Sequence, residues 1–218
     1  MEQYGMKFEE MNKQQKIKHI WEYYRYHILA TIIAICMICS LGKSILFPPP
    51  PNDVDIMLVG QMYLDDTSSQ VADEFKETFQ TGVDFSNVNW ESDPEIASVM
   101  LQKIPLMVTT DELDIMAIAT GTFERFSENY GADMFMPLED VPELEDLLEK
   151  YKDSLYICNQ MMDDEGNLVE TEPHIYGIKV TEFSNLPCII AVEEMIVGLN
   201  PQAKDFEKSI SMLKYILE

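Results

Sequence analysis

Twenty consecutive residues, Ile28 to Phe47, carry a single charge, Lys43, close to their far end. At about 1.5 Å of rise per residue, a helix of that length reaches roughly 30 Å, the hydrocarbon thickness of a bilayer. A span must satisfy every backbone amide and carbonyl internally, so only a helix serves for one isolated segment. Pro48 to Pro51 follow; they lack amide donors, stop the helix and favour polyproline II, a stiff spacer. The expected organisation is a cytoplasmic amphipathic juxtamembrane helix (1–27), a transmembrane helix (28–47), a Pro-rich linker (48–53) and an extracytoplasmic α/β domain (54–218).

The flanks set the expected orientation. Lys13, Lys16, Lys18 and Arg25 precede the span, whereas Asp53 and Asp55 follow it. The positive-inside rule then places the N-terminus in the cytoplasm of a single-pass protein and the acidic remainder outside the cell. Trp21, Tyr23, Tyr24 and Tyr26, with Arg25, cluster where amphipathic side chains meet the lipid headgroups, so the bilayer is the first expected partner. Two alternatives remain open, a cleaved signal and a buried core helix. About 27 residues before the apolar core and a core longer than 7–15 residues argue against a signal, although Ser40 and Gly42 offer a poor cleavage site. No small residue precedes Cys36 or Cys39, as a lipoprotein signal requires. In residues 11–26, Ile17, Ile20, Trp21 and Tyr24 follow helical spacing among lysines, which suits a helix lying on the inner leaflet or docking a membrane partner.

Charge separates the two parts. The chain has 39 acidic and 15 basic residues, and 35 of the acids but only nine of the bases lie in residues 52–218. A surface so short of Lys and Arg does not neutralise phosphates, so nucleic acid is excluded as a partner. Cys158 and Cys188 lie outside the apolar run and are a possible disulfide in an exported domain, or two buried thiols. The cysteine spacing matches no zinc pattern.

The acidic part alternates strand and helix. "VDIMLVGQMY" (54–63) reads as a strand buried on both faces. In the next segment Val71, Phe75 and Phe79 align on one helix face. "DFSNVNW" (84–90) is a second strand. Asp93 and Pro94 open a helix with Ile96, Val99, Met100 and Ile104 in register, which Pro105 is expected to close. "ELDIMAIAT" (112–120) is a third strand, followed by a helix with Phe123, Phe126 and Tyr130 inward and Gly131 at its end. Further on, 141–156 reads as a helix, 155–180 as strands around a turn at Asp164–Asn167, 187–200 as one or two strands, and 201–218 as a helix with Phe206, Ile210, Leu213 and Leu217 on one face. The β-α-β-α-β order predicts parallel strands with right-handed crossovers, in a three-layer domain with a mostly parallel, mixed sheet.

"KIKHIWEYYRYHILATIIAI" resembles the N-terminus of small single-pass membrane proteins of Gram-positive bacteria. "LQKIPLMVTTDELDIMAIATGTFERFSENYGADMFMPLEDV", "EPHIYGIKVTEFS" and "MIVGLNPQAKDFEKSISMLKYIL" resemble one lobe of a type-2 extracellular solute-binding protein. The resemblance covers about two-thirds of the chain as pattern, without a catalytic signature. It implies the sheet of one lobe, bordering what is a ligand cleft in the two-lobed family. The roughly 77 residues after Val141 do not supply a second lobe, so hinge closure on a ligand is not implied.

No phosphate-cradling GxxxxGK[ST] or GxGxxG stretch and no Cys–His or Ser–His–Asp context accompanies His174, the one histidine of the acidic part, so neither a cofactor nor a catalytic residue is expected. "DDEGN" (163–167) lacks the spacing of a calcium loop and reads as a polar turn; no metal site is expected. In open α/β sheets, ligands bind beyond the carboxyl ends of strands, near helix amides. Tyr63, Asp66 and Thr67 at the first such end, and Thr120, Gly121 and Thr122 at another, are therefore the candidate ligand-binding residues. The expected function is a membrane-anchored accessory protein that docks to a membrane or surface protein such as a transporter. The alternative is a binding module for a small solute or peptide.

Overall fold

The computed structural model describes residues 12–46, 50–89, 92–110, 112–130, 134–163, 165, 167–186 and 189–218. The chain divides into two units, Met1–Pro50 and Pro51–Glu218. Among the described residues the first contains one helix, α1 (Lys13–Leu46), which runs unbroken from within the expected juxtamembrane segment into the expected span; residues 1–11 and 47–49, with the start of the expected Pro-rich linker, lie outside the described residues. No proline interrupts the helix, and an uninterrupted amide ladder explains its length of roughly 50 Å. Its window Tyr24–Lys43 is long and apolar enough to cross a membrane, and none of that window is buried within the protein. Leu29, Ile32, Ile33, Met37 and Leu41 are exposed all round it. A helix apolar on every side is suited to hydrocarbon, either as an anchor or as a signal sequence.

The second unit is an α/β domain built on a six-stranded sheet. In chain order the elements are β1 (Val54–Gly60), β2 (Met62–Leu64), α2 (Ser68–Phe79), β3 (Thr81–Asn87), α3 (Pro94–Thr109), β4 (Ile115–Ala119), α4 (Thr120–Tyr130), α5 (Glu145–Lys150), β5 (Leu155–Met162), β6 (Leu168–Val180), β7 (Ile189–Ala191), β8 (Met195–Leu199) and α6 (Phe206–Leu217). The sheet order is β3-β1-β4-β8-β6-β5, and β2 and β7 form a separate two-stranded ribbon.

The predicted alternation holds in the first half, where β1 pairs in parallel with both β3 and β4. The chain moves from β1 to one neighbour and then back across β1 to the other. Right-handed crossovers made in opposite directions put their helices on opposite faces. Accordingly Phe75 of α2 joins a core with Ile56, Leu58, Ala117 and Leu213, whereas Ala97, Ile104 and Val108 of α3 join a second core with Met57, Val59, Met116 and Phe123. Alternate residues of β1 feed the two cores, the period-two geometry of a strand covered on both faces. This gives three layers, with each fully buried side chain contributing about 1.5–3 kcal/mol. The sheet is mixed, as expected, but not mostly parallel: β4–β8, β8–β6 and β6–β5 are all antiparallel. Parallel pairs need a crossover helix, and the hairpin turn between β5 and β6 leaves no room for one.

Several boundaries differ from expectation. The run 54–63 is two strands, because the chain breaks at Gly60–Gln61. Gly60 has φ +153°, and a Cβ there would run into the Cβ of Ala119. The second strand is Thr81–Asn87 rather than 84–90; Trp90 lies outside the described residues, as does Gly131. Pro105 does not close α3, which continues to Thr109. Ile104 and Val108 bury on either side of it, and this packing outweighs the lost amide bond. Asp93 makes no side-chain cap, although Pro94 takes the first helical turn. The segment 141–156 is a short 3-10 turn, α5 and another 3-10 turn before β5 begins at Leu155. α6 buries Ile210, Leu213 and Leu217 as its spacing predicts, and Asp205 caps it by accepting from the Lys208 N–H at 3.2 Å.

Candidate functional site

The carboxyl ends of β1 and β4 lie side by side, since Val59 is opposite Ile118 in the parallel register. Both ends are closed by the chain itself. At the β4 end, Thr120 donates its N–H and its hydroxyl to the carbonyl of Glu194, at 2.9 and 2.8 Å. The Gly121 amide, in the first turn of α4, points at Glu193 Oε2 at 3.3 Å. The position where a helix N-terminus would hold an anion is thus filled by the protein's own carboxylate. Thr122 is buried in the domain. At the β1 end, Asp65 Oδ1 accepts the N–H and hydroxyl of Thr67 at 2.9 and 2.6 Å. Thr67 stands at the start of α2 without a side-chain cap of its own, and Asp66 is exposed.

Tyr63 belongs to β2, opposite Ile190 of β7. The ribbon adjoins the strand end, with Val192 donating its N–H to Gln61 O at 3.0 Å and Asn87 Nδ2 donating to Met62 O at 3.1 Å. It keeps Met62 buried but leaves Tyr63 66% exposed, with Leu64 and Val192 also in solvent. The six candidate ligand residues therefore lie at one sheet end but in three settings: exposed on the ribbon (Tyr63), bonded to loop carboxylates or carbonyls (Thr67, Thr120, Gly121), and buried (Thr122), with Asp66 facing solvent.

The opposite end of β4 carries a buried ionisable group. Asp114 is fully buried. Its Oδ2 accepts the Asp55 N–H and its Oδ1 accepts the Lys204 N–H, each at 2.7 Å. Burial pushes its carboxyl above the usual range, opposed by the Asp55 and Lys204 amides and then by the Lys204 charge. Lys204 Nζ meets Asp55 Oδ2 at 2.6 Å. Buried Asn200 donates to the carbonyls of Val108 and Leu113 at 3.0 and 2.6 Å and accepts the Gln202 N–H at 2.9 Å. Every oxygen of Asp114 is thus occupied from inside the fold, as a structural knot requires.

A cleft of about 800 Å³ lies elsewhere, lined by Val141, Leu148 and Leu155, by Glu139, Glu145, Asp146 and Glu149, and by Lys152. Glu139 also receives the Ile175 N–H on both oxygens, at 3.1 and 2.9 Å, and lies 2.9 Å from His174 Nδ1. His174 is thereby held at the margin of β6 where β8 has ended. Cys158, opposite His174 in the β5–β6 register, is a free thiol of intermediate exposure; Cys188 lies outside the described residues. Burial first, then the neighbouring Cys158 and Glu124, raise the Tyr156 phenol to about 12. In the expected polar turn Asp163 Oδ1 accepts the N–H groups of Glu165 and Asn167 at 3.0 and 2.7 Å, while Asp164 and Gly166 lie outside the described residues. Among the described residues no three His, Cys, Asp or Glu side chains converge as metal ligands.

In α1, Trp21, Tyr24 and Tyr26 are exposed, and Arg25 stacks 4.7 Å above the Tyr26 ring while donating to its hydroxyl at 3.0 Å. Tyr23 falls in the same turn.

The knot around Asp114 and the Glu193 stopper both escaped the reading of the sequence. The knot joins residues up to 149 positions apart. The stopper left a trace, two acids between two apolar strands in "IIAVEEMIV". No protein-family model, curated protein or solved structure matches this chain.

Proposed function

We propose that this chain is a membrane-anchored interaction protein. Its N-terminus is cytoplasmic, α1 is the anchor, and the acidic α/β domain docks outside the cell to a protein partner in the membrane or at the surface, such as a transporter. The apolar window of α1 supports the anchor, and the excess of Lys and Arg before it supports the orientation. The three layers and two parallel pairs suit one lobe of a solute-binding protein adapted to docking. The observation that carries the reading is the ribbon. Tyr63, Leu64 and Val192 stand in solvent at a sheet end whose helix amide is already taken by Glu193. An exposed aromatic and aliphatic group serves a protein surface better than a small anion.

A photo-crosslinking side chain at Tyr63 of the full chain, in native membranes, tests this. One discrete protein adduct is expected, absent when the probe stands at exposed Lys76 of α2. Lipid adducts alone, or identical adducts from both positions, defeat the proposal.

A second reading, a binding module, draws on the acidic cleft between α5 and Leu155. Its apolar lining and its excess of carboxylates, of which Glu149 is paired with Lys152 at 3.3 Å, suit a basic peptide or a cationic solute. A ligand at 100 times its Kd raises stability by about 2.7 kcal/mol, and a flat thermal-shift screen with oligolysine, polyamines and amino acids removes this reading.

A further inference from the structure

α3 is apolar on two sides. Ala97, Ile104 and Val108 face the core. On the opposite side Ile96, Val99 and Leu106 are 59%, 64% and 62% exposed. At 100° per residue, Glu95, Ile96, Val99, Lys103 and Leu106 fall within one face about 100° wide. Glu95 and Lys103 are the only charges of the helix, and neither is ion-paired among the described residues. The surrounding domain has 35 acids and nine bases, so most of its surface repels a second copy. This face is neutral.

The order of these residues is self-complementary. Glu95, Val99 and Lys103 are spaced four apart and form one ridge of the helix surface. In the commonest class of helix packing, two such ridges lie side by side. Inverted about Val99 by a two-fold axis, the ridge sets Glu95 beside Lys103 of a second copy at both ends, with Val99 against Val99 between them. Ile96 and Leu106 flank the seam. We infer that the outer face of α3 is a homodimer contact, in which two copies of this chain pair antiparallel about Val99 through two reciprocal Glu95–Lys103 ion pairs. The ribbon carrying Tyr63 is not needed for this contact.

A 16-residue helix is roughly 24 Å long, and one helix face buries less than the roughly 1,200 Å² of a stable soluble dimer. The contact is therefore weak in dilute solution and gains when copies share a confined volume. Full-length chain labelled with donor and acceptor dyes is reconstituted in lipid vesicles, and energy transfer is followed against protein density. Wild type is expected to associate. Lys103→Glu and Glu95→Lys each place like charges at both ends of the seam, and each lowers the association constant about tenfold. The double reversal Glu95→Lys/Lys103→Glu restores it to within about twofold of wild type. Both substituted positions, Glu95 and Lys103, are exposed, so folding is retained in all three variants. Absence of transfer in wild type, equal transfer in all variants, or failure of the double reversal to restore it overturns the inference. The first outcome leaves the Tyr63 crosslinking result untouched, so the two proposals fail separately.

Discussion

The two ends of β4 are both closed by the chain's own polar groups, yet they differ in kind. At Asp114 the closing carboxylate is fully buried, bonded at 2.7 Å by amides from β1 and from the segment before α6. At Thr120–Gly121 the closing carboxylate belongs to exposed Glu193 and stands off at 3.3 Å. Low dielectric makes the first set of bonds strong and its loss costly, whereas water competes for the second. The Asp114 end ties the parallel half of the sheet to the antiparallel half. The Glu193 end is a stopper beside a ribbon whose Tyr63, Leu64 and Val192 stand in solvent.

The sharpest way to break this contrast is Asp114→Ala. It strands the Asp55 and Lys204 amides in the interior, and the expected loss is about 3 kcal/mol. For a domain of this size that is roughly 10 °C in Tm, read by thermal unfolding. A loss below about 1 kcal/mol would show that water satisfies both amides and that the knot is ornamental. The pH response adds a second handle. The folded Asp114 carboxyl titrates above its unfolded value of 3.8 because burial disfavours the charge. Between 3.8 and the raised value the folded state therefore holds more protons than the unfolded state. Asp114 contributes stability below that window, and the contribution is lost as pH rises through it and stays absent above. The difference between wild type and Asp114→Asn, measured by denaturant unfolding across this pH range, isolates the component.

Gly60→Ala probes the rigid part of the other end. An added methyl meets Ala119 Cβ, and φ is +153°, a conformation that suits glycine. Overpacking of this kind costs about 2 kcal/mol, or roughly 4–8 °C. The expected order is Asp114→Ala above Gly60→Ala. The reverse would place the stronger closure at the β1 end.

The sequence is legible where one local period decides the outcome. β1, β4 and α6 stand out because apolar residues recur at strand or helix spacing, and the three layers follow from the alternation of strands with helices. Pro105 misleads because its local cost is outweighed by burial of Ile104 and Val108, which depends on the face of the sheet that α3 covers. The turn between β5 and β6 is legible, but the direction of β8 is hidden for a related reason: this short strand is apolar throughout and suits either direction. In the candidate site, Thr120 and Gly121 can be placed by topology, but their partners Glu193 and Glu194 lie more than 70 positions away. The Asp114 knot is harder still. Asp55, Asp114, Asn200 and Lys204 each read alone as an ordinary turn or strand-end residue, and only tertiary structure brings them together.

Glu193→Ala is the mildest and most informative change at the stopper. Its bond to the Gly121 amide is exposed and charge-assisted, of the kind worth about 0.3–1 kcal/mol at a helix N-terminus. The expected fall in Tm is under about 4 °C. The Gly121 amide hydrogen exchanges faster once its acceptor is gone, while amides in β4 keep their protection. Two outcomes reverse the contrast between the ends. A fall as large as that of Asp114→Ala would make Glu193 part of the framework. Unchanged exchange at Gly121 would mean that water already holds this amide in the wild-type chain, and the helix end would then stand open to an anion.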